Sequence, residues 1–188
     1  MSGVQHNVIL IGPMGSGKTS IGKQLAKLLK LEFVDCDHEL EKQTGASINL
    51  IFDVEGEAGF RERETRMLEQ LTTRNGILLS TGGGAVCKPY NRELLEAGGF
   101  VVYLKTSVRN QIKRLSHDKS RPLLQAEDRV QRLTKLAETR NPLYSDIADF
   151  VYTTRNQSLK MTANELKAAI QPQLDSLPTS ECHAHSRH

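Results

Sequence analysis

The residues Gly12-Pro13-Met14-Gly15-Ser16-Gly17-Lys18-Thr19 fit the Walker A pattern Gly-x4-Gly-Lys-Ser/Thr at every required position. The chemistry they can do is phosphate binding. A loop rich in glycine can curl around an anion and aim successive backbone N–H groups, and the positive end of a following helix, at it. Gly15, Ser16, Gly17, Lys18, Thr19 and Ser20 would form this nucleotide cradle, with Lys18 as a mobile point charge and Thr19 offering a hydroxyl to Mg2+. The alternative, an ordinary glycine-rich turn, would not require its surroundings. Here the apolar run Val8-Ile9-Leu10-Ile11 precedes the loop as a buried strand, and Ile21, Leu25, Leu28 and Leu29 follow on one face of a helix.

Further polar groups fall where strands should end. Leu31-Glu32-Phe33-Val34 reads as a second strand running into Asp35-Cys36-Asp37. Strand alternation would turn both carboxylates towards the crevice and Cys36 to the opposite face as a small buried filler. The plainer alternative is a helix-capping Asp37 beside a solvated Asp35. Ile77-Leu78-Leu79-Ser80 opens into Thr81-Gly82-Gly83-Gly84, a triplet that lets a ligand approach the backbone closely, or else a flexible turn. Arg61 projects near the start of a helix from about Glu57 to Thr73, marked by Phe60, Met67, Leu68 and Leu71; it either faces the crevice or pairs with Glu57 or Glu64 at helical reach. Ser107 can cap a helix through Ile112 and Leu115, carrying Arg114. Periodicity then fails around Arg121, which suits a cationic lid over a phosphate site, or an exposed loop with an incidental arginine. Arg140 ends a helix marked by Val130, Leu133, Leu136 and Ala137, where it could also merely satisfy terminal carbonyls, and Arg155 lies just past a fifth strand.

The elements that must hold these groups alternate between strand and helix: Phe100-Val101-Val102-Tyr103-Leu104 and Asp149 to Thr153 complete five strands, with a last helix from Met161 to about Leu174. This predicts a three-layer α/β fold with a mainly parallel five-stranded sheet flanked by helices. With 188 residues, 38% of them hydrophobic, the chain suits one domain over residues 1–175, followed by a disordered tail over 176–188. That tail holds Cys182, His183, His185 and His188, which disorder suits better than a metal site. Net charge is only +3 and no long basic run occurs, so nucleic acid is not an expected partner. No apolar run approaches a membrane span, and Met1 to Asn7 is unlike a signal peptide. Three cysteines without paired metal-ligand spacing suit free thiols in a reducing compartment, so a cytoplasmic location is expected; a monomer is expected as well.

Walker A loops serve ATPases, GTPases and small-molecule kinases. The guanine-reading Asn/Thr-Lys-x-Asp signature does not occur, and neither the third nor the fourth strand ends in the aspartate typical of motor ATPases. Planar guanidinium groups at Arg61 and Arg140 suit a carboxylate, and Asp37 suits a hydroxyl, which together describe phosphate transfer to a hydroxy acid.

With Gly12 to Thr19, Asp35-Cys36-Asp37, Phe52-x3-Gly56-Glu57-x2-Phe60-Arg61-x2-Glu64, Thr81 to Gly84, Arg121-Pro122-Leu123-Leu124 and Arg140-x-Pro142-x-Tyr144 in this order, the chain resembles the shikimate kinases, which have a P-loop kinase fold. The resemblance runs from about Val8 to the last helix. It implies ATP-dependent phosphorylation of the shikimate 3-hydroxyl on the route to chorismate and aromatic amino acids, with a substrate subdomain at about 35–62 and a lid at about 113–125. It further implies Lys18 and Arg121 on the transferring phosphate, and Thr19 and Asp35 for Mg2+. Asp37 would hold the reacting hydroxyl, Arg61 and Arg140 the carboxylate, Gly82, Gly83 and Gly84 the ring, and Arg114 and Arg155 the adenine side. Thr154-Arg155-Asn156-Gln157 departs from the family in lacking the proline often found there. The competing expectations are a kinase for another hydroxy acid such as gluconate, and a nucleotide-dependent binding module with no second substrate.

Overall fold

The computed structural model describes residues 6–115 and 128–178. Five strands form one parallel sheet in the order β2-β3-β1-β4-β5: β1 (Val8–Ile11), β2 (Glu32–Asp35), β3 (Ile77–Ser80), β4 (Phe100–Lys105) and β5 (Phe150–Thr153). The apolar runs predict all five to within a residue or so. The helices are α1 (Lys18–Leu29), α2 (Cys36–Thr44), α3 (Ile48–Leu71), α4 (Pro89–Gly98), α5 (Val108–Leu115), α6 (Arg129–Ile147) and α7 (Leu159–Ser176), with a short 3-10 turn at Ala85–Cys87. They cover both faces of the sheet, giving the three layers expected.

Period-two alternation in β1 divides the core. Ile9 and Ile11 pack on one face with Phe60, Met67 and Leu68 of α3, and Val8 and Leu10 pack on the other with Leu25 of α1 and Leu166 and Ile170 of α7. All four β1 residues are buried, as are those of β3, so these strands read as continuous apolar runs of the kind a doubly covered parallel sheet requires. Since β1 lies between β3 and β4, the chain changes direction across the sheet at the point where the phosphate loop leaves it. Such a switch point opens a crevice beyond the carboxyl ends of the strands.

Three helices depart from the sequence expectation. α6 does not end at Arg140 but continues through Pro142 to Ile147, so Arg140 lies within the helix and its side chain is not at the terminal carbonyls. α2 begins at Cys36, where strand alternation was expected to continue to Asp37; its side buries only Cys36 and Leu40, too few apolar positions to mark a helix in the sequence. α3 begins at Ile48, nine residues before Glu57, and breaks at Gly56, whose φ of 70° and ψ of −176° are open to glycine and costly to other residues. Arg63 bridges that break with a two-pronged grip on Glu55, Nε to Oε2 at 2.7 Å and Nη2 to Oε1 at 2.6 Å. Phe52 before the break stacks on Phe60 after it, ring centroids 4.5 Å apart.

Candidate active site

The phosphate loop joins β1 to α1. Gly17 holds a left-handed conformation, φ 95°, that places α1's first turn directly after the loop. Lys18 opens that helix. It is not the solvated lysine that a mobile point charge suggests: it is buried, and its ammonium donates to the carbonyls of Gly12 at 2.7 Å and Pro13 at 3.0 Å. Arg114 of α5 reaches the same loop from the other side, donating to the carbonyls of Gly15 and Ser16, both at 3.1 Å, and to the carbonyl of Arg155 at 3.2 Å. Two cations therefore engage four of the loop's carbonyls, fixing which way its peptide groups turn. Arg114 and Arg155, distant in sequence, meet on this side of the loop, and Ser20 is exposed on α1's first turn.

Thr19 and Asp35 are also brought together. Asp35 closes β2 beside Ser80 of β3, and its Oδ2 accepts from the Thr19 hydroxyl at 2.9 Å. Its Oδ1 accepts from the backbone of Asp37 at 3.1 Å and of His38 at 3.3 Å. The helix cap is thus Asp35, not Asp37 as the plainer alternative had it. Asp37, in the first turn of α2, lies against the glycine triplet: a Cβ on Gly82 would sit 3.4 Å from its Oδ1. Cys36 is buried between the two aspartates, as expected of a filler; burial first, and then Asp37, Glu64 and Asp35, push its thiol well above the usual value.

Arg61 satisfies both of its sequence alternatives. Its guanidinium pairs with Glu64 at 2.8 Å and Glu57 at 3.3 Å, and it also lies over Gly84 in the space that a Cβ there would take, so a side chain at 84 would have to push it aside. Burial disfavours its charge, but the attraction and hydrogen bond of Glu64 outweigh that, so its pKa is raised. Glu64 is the residue that sequence reasoning took only as a helix-surface partner. It is 1% exposed, Oε2 holds Arg61, and Oε1 has no hydrogen-bond partner among the described residues and faces Gly82, where a Cβ would lie 2.7 Å away. Its signal was a carboxylate within the apolar stripe of Phe60, Met67, Leu68 and Leu71.

From the opposite side, Arg140 of α6 lines a small cleft with Pro13 and Met14 of the phosphate loop, Gln111, Asn141 and Tyr144. Tyr144, one turn further along α6, donates its hydroxyl to the Gly83 carbonyl. Gly83 itself rests on the loop, with Met14 N 3.5 Å from where its Cβ would be. The triplet is therefore the meeting place: Asp37 and Glu64 at Gly82, Tyr144 at Gly83, Arg61 at Gly84. Arg121 lies outside the described residues, as does most of the lid expected at 113–125 and nearly all of the tail. Among the described residues no cluster of three His, Cys, Asp or Glu could hold a metal by itself, and no helix is long and apolar enough to cross a membrane.

The phosphate loop, the Thr19–Asp35 pair at its helix start, Asp37 and Arg61 at the glycine triplet, and Arg140 in the cleft with Tyr144 are groups whose chemistry suits phosphate beside a hydroxy acid. Comparison with known proteins leads to the same family as the motifs. The family model for shikimate kinase matches residues 14–171. The shikimate kinase of Pasteurella multocida is 55% identical over 163 residues, covering 86% of this chain and 93% of the relative. That of Psychromonas ingrahamii is 52% identical over 166 residues, covering 88% and 97%. The solved structure of shikimate kinase from Acinetobacter baumannii, in complex with shikimate, superposes with a TM-score of 0.86 at 45% identity, covering 93% of this chain and 96% of that one. The P-loop kinase fold is therefore shared along nearly the whole chain, and the chain belongs to the shikimate kinase family.

Proposed function

We propose that this chain transfers the γ-phosphoryl group of ATP to the 3-hydroxyl of shikimate, giving shikimate 3-phosphate and ADP. The observation that carries the reading is the convergence of Asp37, Arg61 and Glu64 on the glycine triplet, with Arg140 adjoining through Tyr144, directly beside the phosphate loop.

Phosphoryl transfer depends on alignment and on neutralising charge more than on a strong base. Gly15 to Ser20 cradle the phosphates of ATP, and Lys18 exchanges loop carbonyls for phosphate oxygens. Asp37 accepts the hydrogen bond of the reacting hydroxyl and orients it. Arg61 and Arg140 grip the carboxylate as planar forks, with the shikimate ring lying over Gly82, Gly83 and Gly84. Arg114 and Arg155 flank the adenine side, and Arg121 completes the charge at the transferring group from a lid at about 113–125. The substrate subdomain is about 35–62, the stretch containing α2 and the first part of α3.

The Thr19–Asp35 pair fits Mg2+: one hydroxyl and one carboxylate are the protein ligands such an ion takes when phosphates and water supply the rest. When bound, the ion neutralises phosphate charge. The cytoplasm as compartment is supported by free thiols at Cys36 and Cys87, and a monomer completes the reading.

The test is ADP release, coupled to a reporter, across a panel of hydroxy acids with Mg2+ present. Shikimate should drive release. Release driven by gluconate alone would assign the other kinase chemistry, and nucleotide binding without release for any acid would leave only a binding module.

A further inference from the structure

Tyr144 is 1% exposed, yet it carries a hydroxyl, and the protein spends that hydroxyl on the backbone of Gly83. Its ring lies against Tyr103 of β4, centroids 5.0 Å apart, and the Tyr103 hydroxyl donates in turn to Asn141 Oδ1 at 3.0 Å. Two tyrosines thus latch the same turn of α6, on either side of Pro142. Proline has no N–H and cannot bond to the carbonyl one turn back, so this stretch of helix is weaker in its own hydrogen bonds. It is held laterally instead.

The weakened stretch is the one that begins with Arg140. Residues 140 and 144 are four apart, so both side chains leave the same helix face, and both line the cleft beside Pro13 and Met14. Gly83, at the other end of the tyrosine's hydrogen bond, touches the phosphate loop, with Gly12 O 3.7 Å and Met14 N 3.5 Å from its ideal Cβ position. Resting on the function proposed above, we infer that Tyr144 is a positioning residue: its hydroxyl sets the distance between Arg140, which grips the acceptor's carboxylate, and the glycine triplet that carries the acceptor against the phosphate loop. Tyr144 itself touches no reacting atom. Its work is to keep carboxylate grip and phosphate cradle in register, since a small misplacement of bound reactants costs rate steeply. Burial pushes its hydroxyl well above the usual tyrosine value, with the nearby Arg140 charge opposing more weakly, so it remains a donor across the working pH range.

The experiment uses Tyr144→Phe, which keeps the ring and its packing on Tyr103 and removes only the hydroxyl. The KM for shikimate should rise about tenfold and kcat should fall, while the KM for ATP stays within about twofold. In the Arg140→Lys background the same change should raise the shikimate KM by less than about twofold, because the residue it acts through is already displaced. A full, multiplicative penalty in that background overturns the proposal, as does an unchanged shikimate KM in Tyr144→Phe. Ile170→Val, in the core on the opposite sheet face, controls for general loosening and should leave the shikimate KM unchanged; a rise matching that of Tyr144→Phe would overturn the proposal. Tetrafluorotyrosine at position 144 is the second variant, retaining the hydroxyl but acidifying it strongly enough to offset the burial that holds it protonated. Its shikimate KM should climb at alkaline pH where that of the unmodified protein does not, and coincident profiles would count against the hydrogen bond. Wild-type protein that releases no ADP with shikimate sinks the functional reading itself; active wild type with an indifferent Tyr144→Phe sinks only this inference.

Discussion

The Thr19 hydroxyl and the Asp35 carboxylate meet at 2.9 Å, joining the first turn of α1 to the end of β2. The other Asp35 oxygen caps α2, so the side chain proposed for the metal also serves the fold. Asp35→Asn separates the two duties. Asparagine is as good a cap as aspartate, so the melting temperature should hardly move, whereas loss of the charge should raise the Mg2+ concentration for half-maximal activity about tenfold or more. An unchanged Mg2+ titration would remove Asp35 from the metal site.

Besides the phosphate role proposed for it, Lys18 is held by two loop carbonyls. Lys18→Met keeps the stem and removes the ammonium. Turnover should fall by about 10^3, and stability by about 1 to 2 kcal/mol because two carbonyls lose a charged donor. Paired kinetics and denaturant melts would measure both; full stability would show that the carbonyls need no lysine.

Gly84 owes its identity to Arg61, whose guanidinium occupies the space of a Cβ. The Gly84 backbone, φ −96°, suits alanine, so Gly84→Ala should fold and displace Arg61 instead. The KM for shikimate should rise at least about tenfold, with ATP affinity retained. Isothermal titration with each ligand checks this, and equal losses for both would point to a collapsed loop.

Arg61 lies over Gly84, and Arg140 lines the cleft with Tyr144, which is bonded to Gly83. Arg61→Lys keeps the charge and loses the planar fork, which should weaken shikimate binding by about 1 to 3 kcal/mol. If both residues hold one carboxylate, the double change with Arg140→Lys should depart from additivity by more than about 0.5 kcal/mol. A carboxamide analogue of shikimate should show almost none of these penalties; strict additivity, or equal penalties with the amide, would dissolve the shared grip.

Cys36 and Cys87 should differ in reactivity. Cys36 is buried among carboxylates with its thiol pushed upward, whereas Cys87 is exposed. Alkylation near neutral pH, followed by peptide mass spectrometry, should label Cys87 promptly and Cys36 only on unfolding. Comparable rates would mean that the α2 start opens readily.

The sequence made the sheet legible because its strands are runs of apolar residues, and the phosphate loop legible because its residues are dictated by an anion. It offered α2 only as an alternative capped at Asp37, since a helix that buries only Cys36 and Leu40 leaves no periodic trace. Nor did it separate the meanings of Arg61: pairing with Glu64 and lying over Gly84 are compatible, and only the fold brings residue 84 to residue 61. Tyr144 has no role legible in its motif, because its partner is a backbone carbonyl, and Glu64 shows only its pairing with Arg61, because the glycine it also faces has no side chain to advertise the contact. From the sequence Lys18 is only a mobile point charge, because a lysine's burial depends on carbonyls that a sequence does not display.

The sheet order sets an order of failure. Its interior strands β1 and β3 lead into the phosphate loop and the glycine triplet, whereas Asp35 ends the edge strand β2, and Thr154 and Arg155 follow the edge strand β5. Both edges are partly exposed, while β1 and β3 are wholly buried. Local opening begins where fewest contacts must break. Mild heat or denaturant should therefore loosen Asp35 and the loop after β5 first, while the phosphate loop and the core around β1 and β3 still stand.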